Sequence, residues 1–150
     1  MGIETERQMA LHCPLGEDVL LVRQLKGTER LSTCFQYELT LYSTDANVKA
    51  EALLGQHSSV RLRCGKQPER FFDGIVCEFG STGQSGRYYT YRMVLRPWLW
   101  LLSRNRQCRV FQKETAVEIF QKVLADYQDK DLDTRLTATL QPREYCVQYR

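Results

Sequence analysis

The stretch YYTYRMVLRPWLWLLSRNRQCRVFQKET, residues 88–115, changes character twice. Tyr89, Tyr91, Met93 and Leu95 occupy alternate positions, which in an extended strand places them on one face. Pro97 then breaks the alternation. It suits the first position of a helical turn, where a missing N–H costs nothing. Trp98, Leu101 and Leu102 follow at i, i+3, i+4 spacing and share one side of that turn. Trp100 points elsewhere, toward a following domain or a neighbouring subunit. Arg104 to Arg106 end the turn, and Cys108 to Phe111 begin another strand. The stretch reads as strand, corner, strand, with Trp98 expected to be buried as a plug at the end of a β-barrel.

Period two dominates the residues before this corner. In CFQYELTLYS, Phe35, Tyr37, Leu39 and Leu41 oppose Gln36, Glu38 and Thr40. In SVRLRC, Val60, Leu62 and Cys64 oppose Arg61 and Arg63. In FFDGIVCEFG, Ile75, Cys77 and Phe79 are expected to share a face. VLLVRQL (residues 19–25) reads as another strand and QMALHC as a weaker one. GSTGQSG, residues 80–86, lacks the Lys-Ser/Thr ending and the following helix of a phosphate loop, so it reads as a long hairpin loop. A short helix is expected in TDANVKAEALLGQ, with Asp45 or Asn47 as start, Gly55 as stop, and Leu53 and Leu54 facing inward.

Beyond the corner the period changes. Thr115 and Glu118 form a capping box, and Ala116, Phe120, Val123, Leu124 and Tyr127 recur at helical spacing. Leu136, Thr137 and Thr139 suggest a strand, and Tyr145, Val147 and Tyr149 alternate against Cys146 and Gln148 in another. That last pattern is unfinished at Arg150, as expected of an N-terminal piece of something longer. The fold class is mainly β with an α+β portion. A barrel domain over residues 1–104 precedes the beginning of an α+β domain over residues 105–150.

The chain has 150 residues, 43% hydrophobic and 26% charged, enough for about one domain or slightly more. The apolar run Trp98 to Leu102 is far short of the roughly 20 residues a spanning helix needs. MGIETERQMALHC has no basic stretch followed by an apolar one, so it does not read as a secretory signal. Folding in a cytoplasm is expected.

Net charge is +3, but residues 79–113 hold Arg87, Arg92, Arg96, Arg104, Arg106, Arg109 and Lys113 with no Asp or Glu. Such a stretch marks either a surface for an acidic partner or arginines on the outward positions of strands. Their spacing favours the second.

No catalytic signature is present. There is no G-x-S-x-G, no H-E-x-x-H, and His12 and His57 are the only histidines. Cys13, Cys34, Cys64, Cys77, Cys108 and Cys146 contain no close pair of the kind zinc sites use. Asp126, Asp129, Asp131 and Asp133 lack the glycine and terminal glutamate of a calcium loop. No cofactor or metal is expected. The alternative class is a stand-alone barrel binding single-stranded nucleic acid or another polyanion, with Tyr88 to Tyr91, Arg87 and Arg92 as its face.

The ordered residues go further than composition. VLLVRQLKGTERLSTCFQYELTLYS resembles the opening of the VgrG family, the spike components of type VI secretion systems. The resemblance rests on Gly27, Glu29, Leu31, Ser32, Phe35, Tyr37, Leu39 and Leu41. LLGQ, RFFDGIVCEFG, YRMVLRPWLWLLSRNRQCRVFQ and REYCVQYR follow in family order. Cys34 departs where many members have proline, and Asp73 where histidine is common. The resemblance implies a phage-tail-hub-like barrel followed by the start of a baseplate-like α+β domain.

It further implies a non-catalytic homotrimeric hub that docks on the hexameric ring of the tube protein Hcp. Effector cargo would be carried elsewhere on the longer protein, and the assembly exported by the type VI system. Nucleic acid is not an expected partner. The candidate contact residues are Trp100, Arg104, Arg106 and Arg109, with Gly83 and Gln84 on the hairpin loop.

Overall fold

A computed structural model describes residues 7–65, 67–127 and 133–149. The chain divides between Trp100 and Leu101 into two compact units. The first holds strands β1 (Met9–His12), β2 (Leu21–Thr28), β3 (Gln36–Ser43), β4 (His57–Leu62), β5 (Arg70–Ser85) and β6 (Tyr88–Arg96). They form one antiparallel sheet in the order β1-β4-β5-β6-β3-β2. The sheet curls until its two edge strands, β1 and β2, meet in contact without a hydrogen-bonded ladder. This is a partly open barrel.

Alternation explains the interior. Tyr37, Leu39 and Leu41 of β3 face Leu95, Met93 and Tyr91 of β6 in direct register. All six are buried, and Leu11, Leu20, Val22, Leu53, Val60 and Val76 complete the cluster. The outward positions Gln36, Glu38 and Thr40 are half-buried, as the alternation requires.

Strand β5 departs from the expected pattern. The register of β5 on β6 slips at Cys77, so two residues oppose one partner. From Glu78 to Ser81, up to a second slip in the register, the side chains change face. Phe79 therefore joins Phe72 and Val76 against the core, while Ile75 stays on the other face. Ile75, Cys77 and Phe79 do not share a side as strict alternation predicts.

The expected long loop at 80–86 is not a loop. Strand β5 continues to Ser85, which pairs with Tyr88, so Gly86 and Arg87 form a two-residue turn. Gly86 has φ of +60°, and Arg87 is not among the non-glycine residues of positive φ. That is the type II′ pattern, whose twist matches the strands it joins. Cross-strand pairing with Tyr88, Tyr89 and Thr90 overrides the loop-like composition.

Other expectations are corrected. The helix predicted near residues 45–55 shrinks to one 3₁₀ turn, Ala50–Ala52. Leu53 is fully buried, but Leu54 is 42% exposed because consecutive residues leave a tight turn in different directions. The corner after β6 is a 3₁₀ helix, Trp98–Arg104, with Trp100 N–H donating to Pro97 O at 2.9 Å. None of its residues is buried, so Trp98 is a half-covered side chain and not a sealed plug.

The second unit holds β7 (Arg109–Phe111), α1 (Ala116–Leu124) and β8 (Cys146–Gln148). Strands β7 and β8 pair antiparallel, Val110 opposite Val147. The capping box at the start of α1 is present: Thr115 Oγ1 accepts from the Glu118 N–H, and Glu118 Oε2 accepts from the Thr115 N–H at 2.7 Å. These bonds hold the Glu118 carboxyl below its usual range. Leu124 is fully buried, whereas Ala116 and Phe120 are exposed, so only part of the predicted face is covered. Residues 136–139 form no strand. Here the threonines have no partner strand among the described residues to convert β propensity into a ladder.

Candidate assembly interface

The predicted contact residues fall in separate places. Gly83 and Gln84 lie on the arm formed by the ends of β5 and β6. Gly83 sits opposite Thr90 with φ of +127°, at a second register slip centred on Thr82. Thr82 and Thr90 join their hydroxyls at 3.1 Å, and Gln84 Nε2 donates back to Gly86 O at 3.0 Å. These bonds lie within the arm, and exposed side chains run along its β5 side.

Trp100 ends the first unit, with the Arg96 guanidinium 4.6 Å from its ring centroid. Arg104 and Arg106 are exposed in the second unit. Arg109 is engaged within that unit. It donates to Asp126 Oδ2 at 2.8 Å, to Lys122 O at 3.2 Å and to Gln107 Oε1 at 2.7 Å. Asp129 and Asp131 of the acidic run lie outside the described residues.

Three arginines of the acid-free stretch, Arg92, Arg96 and Arg109, meet acids that lie outside it. Arg92 donates to Glu38 Oε1 of β3 at 3.0 Å and to Glu78 Oε2 of β5 at 2.7 Å. Arg96 reaches the other oxygen of Glu78 at 3.4 Å. Glu38 and Glu78 both sit opposite Val94, one on each side, so Arg92 bridges three strands over a fully buried valine. The bond from Arg92 holds the Glu38 carboxyl below its usual range, and the two carboxylates push Arg92 still further up. Single exposed pairs contribute little, but a guanidinium shared by two carboxylates also fixes geometry.

The tyrosines offered for base stacking are largely occupied from within. Tyr91 is buried, stacked on Phe79 at 5.3 Å, and its hydroxyl donates to Asp45 O at 2.8 Å. Tyr88 stacks on Tyr42 at 5.6 Å and carries the Arg87 guanidinium 4.9 Å from its centroid.

One surface was missed by sequence reasoning. The connection from β2 to β3 presents Leu31, 97% exposed. The loop is pinned below this tip, where Tyr37 Oη donates to Glu29 Oε1 at 2.6 Å. Beside it lies a cleft of about 370 Å³ lined by Ser32, Thr33, Cys34, Phe35, Pro97 and Leu99. An isolated leucine among turn residues was the available signal. Burial first, and the Glu29 bond second, push the Tyr37 phenol up to about 12.

This shift gives a pH prediction. The folded state holds the phenolic proton more tightly than the unfolded chain, whose tyrosine titrates near 10. The associated stability is complete below about pH 10 and is lost as pH rises from there to about 12. Its size is on the order of 2 kcal/mol. Urea melts across that window should fall more steeply for the natural chain than for Tyr37→Phe. Parallel curves would show that Tyr37 does not carry the alkaline loss.

The family described as phage tail baseplate hub (GPD) matches residues 28–150. The chain is 39% identical over 148 residues to the type VI secretion system spike protein VgrG1a of Pseudomonas aeruginosa, a match covering 99% of this chain and 23% of that protein. It is 34% identical over 146 residues to the actin cross-linking toxin VgrG1 of Vibrio cholerae, covering 91% of this chain and 13% of the toxin. It also resembles the solved structure of the E. coli c3393 protein, with a TM-score of 0.79 and 26% identity over 93% of this chain and 38% of that one. That protein is described as a component of the type VI secretion system with structural similarity to the bacteriophage T4 tail proteins gp27 and gp5. The chain spans about a fifth of the length of the curated spike proteins it matches.

Proposed function

This chain belongs to the phage tail baseplate hub family, and from that premise we propose that it is the N-terminal hub module of a type VI secretion spike. The module assembles as a homotrimer and docks on the hexameric Hcp ring. Residues 1–104 form its barrel domain, and residues 105–150 begin the α+β domain. Its task is mechanical and not catalytic, with any effector carried elsewhere on the spike. It assembles in the bacterial cytoplasm and leaves through the type VI apparatus.

The observation that carries this reading is the extent of the likeness. The matched hub region, residues 28–150, takes in most of the first unit, the corner and the whole of the second unit. The separate surfaces suit a hub, which meets several neighbours at once. The β5–β6 arm with Gly83 and Gln84, the Trp100 corner, and Arg104 with Arg106 are the contact faces. Arg109, the remaining candidate, is bonded to Gln107, Lys122 and Asp126 within its own unit.

Two measurements test the proposal. A longer chain carrying the spike region should be trimeric by light scattering, and a stable monomer would sink the hub reading. In that trimer, Arg104→Glu with Arg106→Glu should weaken binding to isolated Hcp rings by about tenfold or more, since rim charges steer docking. Unchanged binding would remove these arginines from the contact.

A further inference from the structure

The second unit is open along one side, and the opening has a definite shape. Strand β8 pairs with β7 along one edge. Among the described residues no strand pairs with its other edge. Beneath that edge lies a groove of about 450 Å³. Its floor is the side of α1 carrying Ile119, Phe120 and Val123, and its wall is β8 with Cys146 and Gln148. Arg143 stands at the end where β8 begins. Phe120 is 41% exposed, although it lies on the apolar face of the helix.

An open strand edge beside an apolar floor is the geometry of strand addition. The backbone of an incoming strand would pair with β8, and its alternate side chains would fall into the groove. We propose that this slot takes one further β-strand from the hub polypeptide itself, from a part outside these 150 residues. That strand has apolar residues at alternate positions and an acidic residue where it passes Arg143. The proposal rests on the reading of the chain as an N-terminal hub module, and it names where the remainder of the hub engages.

The choice of a strand of the same polypeptide follows from how little supports this unit. Among the described residues, two strands of three residues each lie with one nine-residue helix. A two-stranded sheet of that size is marginal in water. Whatever fills the slot completes the unit's core and must be present permanently, which a transient partner is not. Most of the length of each relative lies outside the matched region, and a hub polypeptide of such length has ample chain to supply it.

Cys146 reports on the slot, because it is half-buried, carries a free thiol and lines the groove. The chain is compared with a fusion in which it continues into the hub residues that follow the matched region of VgrG1a. Alkylation of each cysteine by iodoacetamide is followed by peptide mass mapping. Cys146 should react about tenfold or more slowly in the fusion, and the β8 amides should exchange more slowly with solvent. Phe120→Asp in the fusion should restore the fast reaction while Cys77 in the barrel keeps its rate.

If the fusion misfolds, the same VgrG1a segment added as a separate polypeptide should protect Cys146 in proportion to its concentration. Absence of protection in both arrangements overturns the proposal. Protection that arises solely on adding Hcp rings also overturns it, because the occupant is then a partner. A fusion that trimerises while Cys146 stays reactive keeps the hub reading and rejects this one.

Discussion

Replacing Leu39 by alanine should cost about 2–5 kcal/mol, the range for deleting a fully buried leucine. Leu39 is 0% exposed and sits at the middle of β3, directly opposite Met93 of β6. Its neighbours along the strand, Tyr37 and Leu41, are buried on the same face. The surrounding residues belong to paired strands on both sides, so the wall is poorly placed to collapse into the space. The loss should appear as a lowered urea midpoint with an unchanged slope. A cost below about 1 kcal/mol would mean that the barrel interior repacks freely. The same substitution at Leu31, which touches solvent almost completely, should leave stability nearly unchanged.

Gly74→Val should be comparably damaging for the opposite reason. A Cβ at residue 74 would lie 2.9 Å from Arg96 O, 3.2 Å from Arg96 N and 3.2 Å from Leu95 Cβ. Two of those atoms are backbone and cannot rotate away. Gly74 also pairs with Ser58 of β4, so β5 is held from its other side. Relief requires prising β5 from β6 next to Val76 and Leu95. About 3 kcal/mol is expected, the upper end of the usual cost of overpacking. Gly74→Ala meets the same three atoms with less bulk and should fall between. A neutral Gly74→Ala in a thermal melt would show that the close approach relaxes without cost.

These two positions also mark what was legible. Leu39 is core by inspection, because alternation in CFQYELTLYS assigns its face without reference to any other strand. The capping box at Thr115 was equally local, since all its atoms lie within one turn. Gly74 carried no comparable signal, because its constraint comes from the Arg96 backbone across the sheet. The slip at Cys77 was hidden for the same reason: a bulge is a relation between two strands. Gly80, Gly83 and Gly86 were read as a loop from composition, yet β6 supplies a ladder for the first two and leaves only Gly86 in the turn.

The candidate surfaces were less legible than the fold. Arg92 and Arg96 belong to a stretch without acids, yet Glu38 and Glu78 lie beside them once the strands are ordered. Arg109 likewise finds Asp126 across the second unit. A long charged side chain is assigned by what stands near its tip, and sequence gives only its root. Leu31 stands out in the sequence as one apolar residue among turn residues, and a single such residue does not by itself mark a contact surface.

The strand order has a consequence for how the chain is made. Strand β3 finds its partner β2 at once, through a short connection. Its other edge waits for β6, whose pairing residues run to Leu95. During synthesis β3 therefore leaves the ribosome with Tyr37, Leu39 and Leu41 uncovered while some fifty further residues are added. The β5–β6 hairpin forms locally and late, and its arrival seals the sheet. The growing chain passes through an interval in which a half-built barrel exposes its most apolar face, and chaperone dependence should be concentrated there.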